Sequence, residues 1–290
     1  MGHTINVYYD DHQSLPENIQ VISPSAAKPA KLVDRWLCTN KNIKIVKFDP
    51  VTTDDFYLVH QREYIDGVLS TRMANGFGTK HSEVAATLPW TTGSFVAAAL
   101  DAFTLKTITC SPTSGFHHAE WARAMGFCTF NGLLVAAIKL HNIDPSIKIG
   151  ILDCDHHYGN GTDNIIAKLG INYITHYTFG GQEEDHYNWG GGYNAEHWLT
   201  KLANLLLKEF INCHIVLYQA GADAHADDPC GGALSTEQLA RRDDIVFDFF
   251  SSKRIPVAWN LAGGYQTPLE KVLVIHDNTL DAALRHVSRY

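Results

Sequence analysis

The chain has 290 residues, 45% of them hydrophobic, which is enough to bury a large core in one α/β domain. Its formal net charge of −8 argues against a nucleic-acid partner held mainly through phosphate contacts; it fits a cationic partner, or serves solubility alone. No apolar run is long enough to span a bilayer and none of the six cysteines forms a CxxC pair, so we expect no membrane span, reduced thiols and a cytoplasmic location.

The N-terminal part of the chain shows no feature that would divide it into separate units. Residues 1–13 lack the basic stretch and apolar core that mark a signal peptide. Residues 22–30 (ISPSAAKPA) resemble a linker, but too little chain precedes them to fold alone, so we predict a surface loop there. The sequence therefore predicts a single domain over residues 1–290.

Alternating strand and helix patterns dominate the rest of the chain. Short apolar runs predict buried strands at residues 148–152, 214–219 and 255–261. Apolar residues at helical spacing predict helices at residues 131–141, 195–210 and 235–250, the last with a capping box of Ser235 and Gln238. Such alternation predicts a parallel sheet between two layers of helices, in which ligands bind at the carboxyl ends of the strands.

A pair of adjacent histidines comes first among the candidate functional residues. His117 and His118 lie in a glycine-bounded segment that is followed by Gly126, Phe127 and a cysteine. Such a pair suits a general base and an electrostatic partner beside a metal-activated water, although a lone pair of histidines is more often incidental. Phe127 fits either the wall of a channel or ordinary core packing.

The densest group of acids and histidines follows the strand predicted at residues 148–152. Side chains alternate between faces along an extended chain, so Asp153, Asp155 and His157 share one face while His156 points the other way. A carboxylate and an imidazole two residues apart can bind one divalent cation at distances suited to zinc. The alternative is a solvated turn, but acids and histidines clustered at a strand end favour a site.

Two further segments follow the remaining predicted strands. Asp223 comes first after residues 214–219 and could complete a three-ligand site that leaves a position for water, as catalytic zinc requires. His225, Asp227 and Asp228 are further candidate ligands, although for Asp227 and Asp228 we favour a role in shaping and charging the rim of the loop. After residues 255–261, two glycines allow a close approach to a ligand, and Tyr265 could donate to a developing oxyanion or merely cap the sheet.

Together, and in this order, the motifs HH…GFC, DxDxH…GNG, GxDxHxxDP and GGY resemble the histone deacetylase family and its bacterial amidohydrolase and acetylpolyamine deacetylase relatives. The resemblance runs from about residue 7 to about residue 273. It implies an open three-layer α/β sandwich of the arginase–deacetylase type, with a mostly parallel, eight-stranded sheet. It also implies a zinc-dependent amide hydrolase that removes an acetyl or related acyl group from a lysine side chain or a small amine.

The same resemblance implies roles for single residues. The family's zinc ligands fall on Asp155, His157 and Asp223, its tandem histidines on His117 and His118, its oxyanion tyrosine on Tyr265, and its substrate tunnel on Gly126 and Phe127. The aspartate that supports the first tandem histidine and helps to hold a potassium ion falls on Asp153, and further potassium contacts fall on Thr175 and His176. Asn160 replaces the aspartate that some relatives place beside the second histidine, and a neutral partner stabilises an imidazolium less well.

Two departures from the family pattern and two alternative functions bear on how far the resemblance extends. Ala262 stands where many relatives have Glu or Gly, and residues 75–81 (NGFGTKH) do not match the acidic rim that grips a peptide backbone in some members. A dinuclear manganese ureohydrolase of the same fold would need a second cluster of bridging carboxylates. A non-catalytic module that binds acyl-lysine is the alternative from outside the enzymes, although neither Tyr265 nor a ligand is lost.

Overall fold

The computed structural model describes residues 3–15, 19, 21, 23–181 and 195–290. Its strands are β1 Ile5–Tyr8, β2 Ile43–Val46, β3 Ile108–Ser111, β4 Ile149–Asp153, β5 Ile174–Thr178, β6 Ile215–Gln219 and β7 Val257–Asn260. Its α-helices are α1 Lys28–Cys38, α2 Thr53–Tyr57, α3 Arg62–Leu69, α4 Ser82–Leu105, α5 Gly132–Ile143, α6 Asn160–Leu169, α7 Ala195–Phe210, α8 Thr236–Ser252 and α9 Glu270–His286. The alternation predicted from the sequence is therefore present along most of the chain.

All strands belong to one parallel sheet with the order β2-β1-β3-β7-β6-β4-β5. The described residues form seven strands, one fewer than the eight that the family resemblance implies, and this difference does not contradict the fold class. The apolar runs in the sequence had indicated only the central strands. The open α/β sandwich itself is confirmed.

Helices cover both faces of the sheet because its strands are apolar on both sides. On one face, Tyr218 and Trp259 pack in a buried cluster with α1, α7, α8 and α9. On the other face, Leu217 and Ala258 pack in a second cluster with α2 to α6. The alternation of neighbouring strand residues between the two clusters creates the three layers.

Local predictions agree closely with these elements. The strands predicted at residues 148–152, 214–219 and 255–261 correspond to β4, β6 and β7 within one or two residues at each end. Ser235 caps α8, and its hydroxyl and the Gln238 side chain bond each other's backbone N–H, which confirms the capping box. No helix in the described part of the chain is long and apolar enough to cross a membrane.

The surface loop predicted at residues 22–30 is wrong for the described part of that segment, and Ile22 lies outside the described residues. Pro24–Ala27 forms a 3-10 turn that leads into α1, and Ser23, Ser25 and Lys28 are buried. The segment turns inward because Lys28 lies near three carboxylates of the candidate site. A serine- and lysine-containing segment is usually exposed, so composition alone pointed to the surface.

Candidate active site

The candidate site lies where four neighbouring strands end. β3, β7, β6 and β4 are adjacent and parallel, so the segments that follow them emerge at one edge of the sheet. β4 ends at Asp153, β6 at Gln219 and β7 at Asn260. The sheet therefore brings together the four sequence motifs, as the rule for ligand sites in parallel sheets predicts.

Three side chains form a group that could hold a metal ion. The ligand atoms of Asp155, His157 and Asp223 all lie within 4.8 Å of one another. His157 Nδ1 is 3.1 Å from Asp155 Oδ1 and 3.0 Å from Asp223 Oδ2, and both carboxylates are buried. His156 is not a member of the group, which agrees with the alternation of faces after β4.

The electrostatics of this group suit a divalent cation. Burial and the neighbouring Asp155 raise the pKa of Asp223, because two buried carboxylates at close range disfavour a second negative charge. Burial alone would lower the pKa of His157, but Asp155 and Asp223 outweigh it and raise that pKa to about 11. A bound cation of charge two would compensate both carboxylates and displace the imidazole proton.

The backbone after β7 packs directly against these carboxylates. A Cβ atom at Gly263 would lie 2.2 Å from Asp223 Oδ2 and 2.7 Å from Asp155 Oδ2, so only glycine fits there. Gly263 N donates to Asp155 Oδ2 at 2.8 Å and orients that carboxylate. Two aspartates and one histidine form a donor set that zinc accepts in catalytic sites, so the residues present fit the group.

His117 is held by a buried carboxylate. Its Nδ1 donates to Asp153 Oδ2 at 2.6 Å, and both side chains are buried. Burial by itself would lower the pKa of His117, but the charges of Asp153 and Asp155 outweigh it and raise the pKa to about 9. His117 is therefore suited to carry positive charge beside the metal group.

His118 is held by a neutral side chain instead. Its Nδ1 donates to Asn160 Oδ1 at 2.7 Å, and Asn160 Nδ2 donates to Glu120 Oε1 at 3.0 Å, which fixes the orientation of the amide. Burial and then the neighbouring His117 lower the pKa of His118 to about 4. The His118 ring, 4.1 Å from that of His117, is therefore suited to accept a proton at Nε2.

Hydrogen bonds at several points hold the segment that carries Tyr265. Its backbone N–H donates to Asp228 Oδ2 at 2.7 Å, and Lys28 Nζ donates to the Ala262 carbonyl at 2.5 Å. Ala262 has a φ of 52°, which is unusual for a residue with a Cβ. Burial and the carboxylates of the metal group raise the pKa of Tyr265, so its hydroxyl keeps its proton and can donate.

Phe127 and Gly126 line the approach to the metal group. Both have positive φ, and a Cβ at Gly126 would lie 2.2 Å from His118 Cδ2. The Phe127 ring stacks on Phe77 at 5.9 Å and lies 5.8 Å from the Tyr265 ring. These aromatic rings line a cavity that reaches His117 and Asp155. Phe127 is thus part of a cavity wall.

Of three further predicted residues, Thr175 and His225 lie away from the metal group, whereas His176 lies near Asp153. Thr175 pairs with Gly150 in the sheet, whereas Thr178 lies beside Asp153, so Thr175 is about 10 Å away along the strand. His176 lies near Asp153, because a Cβ at Gly159 would be 3.2 Å from His176 Nε2 and 2.8 Å from Asp153 Oδ2, while His176 Nδ1 bonds Asp163 at 2.8 Å. His225 bonds Thr236 at Nε2 and accepts the backbone N–H of Asp227 at Nδ1, so it is not in the metal group.

The structure adds site residues that the sequence did not indicate. Asp228 is buried and bonds Tyr265, which corrects its assignment to the loop rim, whereas Asp227 is exposed. Lys28, Glu120 and Phe77 also reach the site through the contacts described above. Residue type gave no signal for Lys28, because lysine is almost never fully buried unless it is paired. For Phe77, the aromatic residue between two glycines was a signal that could have been used.

Comparisons with known proteins show the family and the fold. The sequence-family model of the histone deacetylase domain matches residues 12–182 of this chain. Histone deacetylase 5 of Arabidopsis thaliana is 33% identical over 149 residues, covering 41% of this chain but only 22% of that protein. The HDA15 HD domain superimposes with a TM-score of 0.79 at 19% identity, over 98% of this chain and 90% of that one.

A second solved structure extends the likeness in fold. The acetylpolyamine aminohydrolase of Burkholderia pseudomallei superimposes with a TM-score of 0.73 at 17% identity. The match covers 97% of this chain and 98% of that one. At such identities the two solved structures show a shared fold.

Proposed function

The chain belongs to the histone deacetylase domain family, a family of amide hydrolases, and on that premise we propose that it is a zinc-dependent deacylase. Its substrate would be an acyl-lysine side chain or an acylated small amine. One observation carries the proposal: Asp155, His157 and Asp223 converge beside two adjacent histidines. The first of these histidines is bonded to a carboxylate and the second to a neutral amide.

Zinc held by Asp155, His157 and Asp223 would polarise the amide carbonyl and lower the pKa of the attacking water. The remaining roles belong to the protein's own side chains. His118, neutral and with Nε2 available as an acceptor, takes a proton from the water and passes it to the departing amine. His117, paired with Asp153, contributes fixed positive charge. Tyr265 donates to the carbonyl oxygen as it gains negative charge, a contact worth about 3–4 kcal/mol in comparable sites.

The substrate class is supported by shape and charge. An aromatic-walled cavity suits the aliphatic stem of a lysine or polyamine, and the net charge of −8 favours cationic partners. Potassium is not part of the proposal, because Thr175 lies away from Asp153 along the strand. A cytoplasmic location stays a prediction from the sequence.

The test combines metal analysis with a turnover panel. The purified protein should contain one zinc per chain and hydrolyse at least one class among acetyl-lysine peptides, longer acyl-lysines and acetylated polyamines. Asp155→Ala and His157→Ala should each lose zinc and activity together, because each removes one of three ligands. Asp227→Ala, which removes an exposed carboxylate from the same loop as Asp223, should keep both.

The rival functions give different results in the same experiment. Two manganese ions per chain would support the ureohydrolase, and zinc without turnover on any substrate would support a binding module. Full zinc occupancy in Asp155→Ala or His157→Ala would show that the ligand assignment is wrong. Among the described residues, one three-ligand group is found, which does not favour a dinuclear centre.

A further inference from the structure

Asp228 links the segment that carries Asp223 to the segment that carries Tyr265. Its Oδ2 accepts the backbone N–H of Tyr265 at 2.7 Å, and its Oδ1 accepts the backbone N–H of Cys230 at 3.0 Å. The side chain is buried, with a relative exposure of 5%. Both carboxylate oxygens are thus engaged by backbone donors, one on each segment.

Burial of the Asp228 carboxylate costs solvation free energy. Asp228 lies close enough to Asp155 to experience its charge, and Lys28 provides a compensating positive charge. An unpaired buried carboxylate would be strongly unfavourable, and like charges nearby increase that cost. A buried acid in this position therefore needs a compensating contact, and the bond to Tyr265 N is one that a neutral side chain would make less well.

The other anchors of the tyrosine segment end before Tyr265. Lys28 holds the Ala262 carbonyl, and Gly263 bonds Asp155 through its N–H and Ala222 N–H through its carbonyl. Gly264 follows with a φ of 147°, a conformation that residues with a Cβ rarely adopt. Beyond Gly264, Asp228 holds the backbone from which the tyrosine side chain projects.

We propose that Asp228 is a positioning residue, which fixes the backbone of Tyr265 so that the phenol hydroxyl meets the developing oxyanion. Asp228 touches neither substrate nor metal in this proposal and acts only through Tyr265. The inference rests on the proposed function, since it assumes that the Tyr265 hydroxyl acts in catalysis. It assigns a role to the second aspartate of the DDP sequence, while the exposed Asp227 has none.

The first test is Asp228→Asn, assayed on the best substrate of the turnover panel. Tyr265 N and Cys230 N approach different oxygens of the carboxylate, and in the amide one of these positions is an NH2 donor, so one of the two bonds is lost. We expect kcat to fall about ten- to hundredfold with little change in KM, because a misplacement of about 1 Å at a reacting group costs up to 10²-fold. Zinc content should not change. Asp227→Asn is the matched control and should behave like the wild type.

A second variant separates position from charge. Asp228→Glu keeps the carboxylate but lengthens the side chain by one methylene, so it should also lower kcat by displacing Tyr265. If Asp228→Asn melts below the assay temperature, Asp228→Glu provides the measurement. Wild-type kcat in either variant, when folded, would overturn the inference while leaving the proposed function intact.

The decisive measurement is a double-mutant cycle with Tyr265→Phe. If Asp228 acts through the hydroxyl, Asp228→Asn should change kcat by less than about twofold in the Tyr265→Phe background. An equal fall in kcat in both backgrounds would show that Asp228 acts by another route and would overturn the inference. A wild-type protein that turns over no substrate of the panel would overturn the proposed function and this inference with it.

Discussion

Tyr265 is the residue whose role the geometry defines most sharply. It follows Gly263 and Gly264 at the end of β7, and its hydroxyl keeps its proton beside two buried carboxylates. A donor that acts mainly in the transition state affects kcat more than KM. Tyr265→Phe keeps the ring, so we expect kcat to fall about 10²–10³-fold with zinc content and melting temperature unchanged.

Steady-state kinetics with metal analysis would check this prediction. Tyr173→Phe is a suitable control, because Tyr173 stacks on His141 at 3.6 Å beside the opposite edge of the sheet. Near-wild-type rates for Tyr265→Phe would mean that the carbonyl is polarised without a second donor. Turnover would then persist, so the binding-module alternative would gain no support.

Phe127 tests whether the aromatic wall selects the substrate. Its ring lies between Phe77 and Tyr265 and lines the cavity that reaches the metal group. Phe127→Ala should raise KM or change the preferred acyl or amine chain length, with zinc still bound, because apolar contact with the stem is lost. The measurement is kcat/KM across the turnover panel.

The control for Phe127 is Phe250, whose ring packs in the hydrophobic core. Phe250→Leu alters a fully buried ring on α8, so it should lower the melting temperature without changing substrate preference. If Phe127→Ala likewise changes stability alone, ordinary packing explains the residue. Phe127 has a positive φ, and alanine at this position adopts it at a conformational free-energy cost similar to that for phenylalanine, so backbone strain does not differ between the two proteins.

At the scale of elements, α8 connects the helix layer to the candidate site. Arg242 on this helix is fully buried and donates to the Gly221 carbonyl at 2.7 Å and the Cys154 carbonyl at 3.2 Å. It also bonds the neighbouring Asp243 at 2.8 Å. The segments that carry Asp155 and Asp223 are therefore both anchored to one helix.

The start of α8 offers a test of stability that is separate from chemistry. Ser235→Ala removes the capping hydroxyl that accepts the Gln238 N–H, so we expect the free energy of unfolding to fall by about 1 kcal/mol. kcat should stay near wild type, because Arg242 lies two turns away. Urea denaturation followed by a turnover assay measures both. Ser252→Ala at the exposed end of the helix is the control, and an equal effect there would contradict the capping argument.

At the scale of the whole molecule, the parallel sheet concentrates buried negative charge at one edge. Asp155 and Asp223 follow neighbouring strands, and the nearby His157 and Lys28 side chains offset part of their negative charge. Zinc that binds only the folded state should stabilise it by about 2.7 kcal/mol at a free concentration of 100 times Kd. For a domain of 290 residues we expect a rise in melting temperature of about 4 °C.

Thermal melting with zinc and with a chelator measures this shift. Asp155→Ala should show the same melting temperature under both conditions, because it lacks one ligand. Equal melting temperatures for the wild type in zinc and in chelator would contradict metal binding at the buried group. A shift in the wild type that Asp155→Ala retains would place the metal elsewhere.

Features that depend on neighbouring residues could be predicted from the sequence alone. The strands β4, β6 and β7, the capping box of α8 and the shared face of Asp155 and His157 all follow from spacings of two to four residues. Backbone geometry sets those spacings whatever the rest of the chain does. Because parallel strands end at one edge, the convergence of the motifs could also be inferred before the structure was known.

Tertiary structure alone decided the contacts between distant segments. Thr178 rather than Thr175 lies beside Asp153 because strand register depends on how β4 and β5 pair, which no local pattern states. Lys28 reaches a carbonyl 234 residues away, and Asp228 is buried against Tyr265. Charged residues are ordinarily exposed, and only a partner from a remote part of the chain makes their burial favourable, so the fold must form before such residues can be recognised.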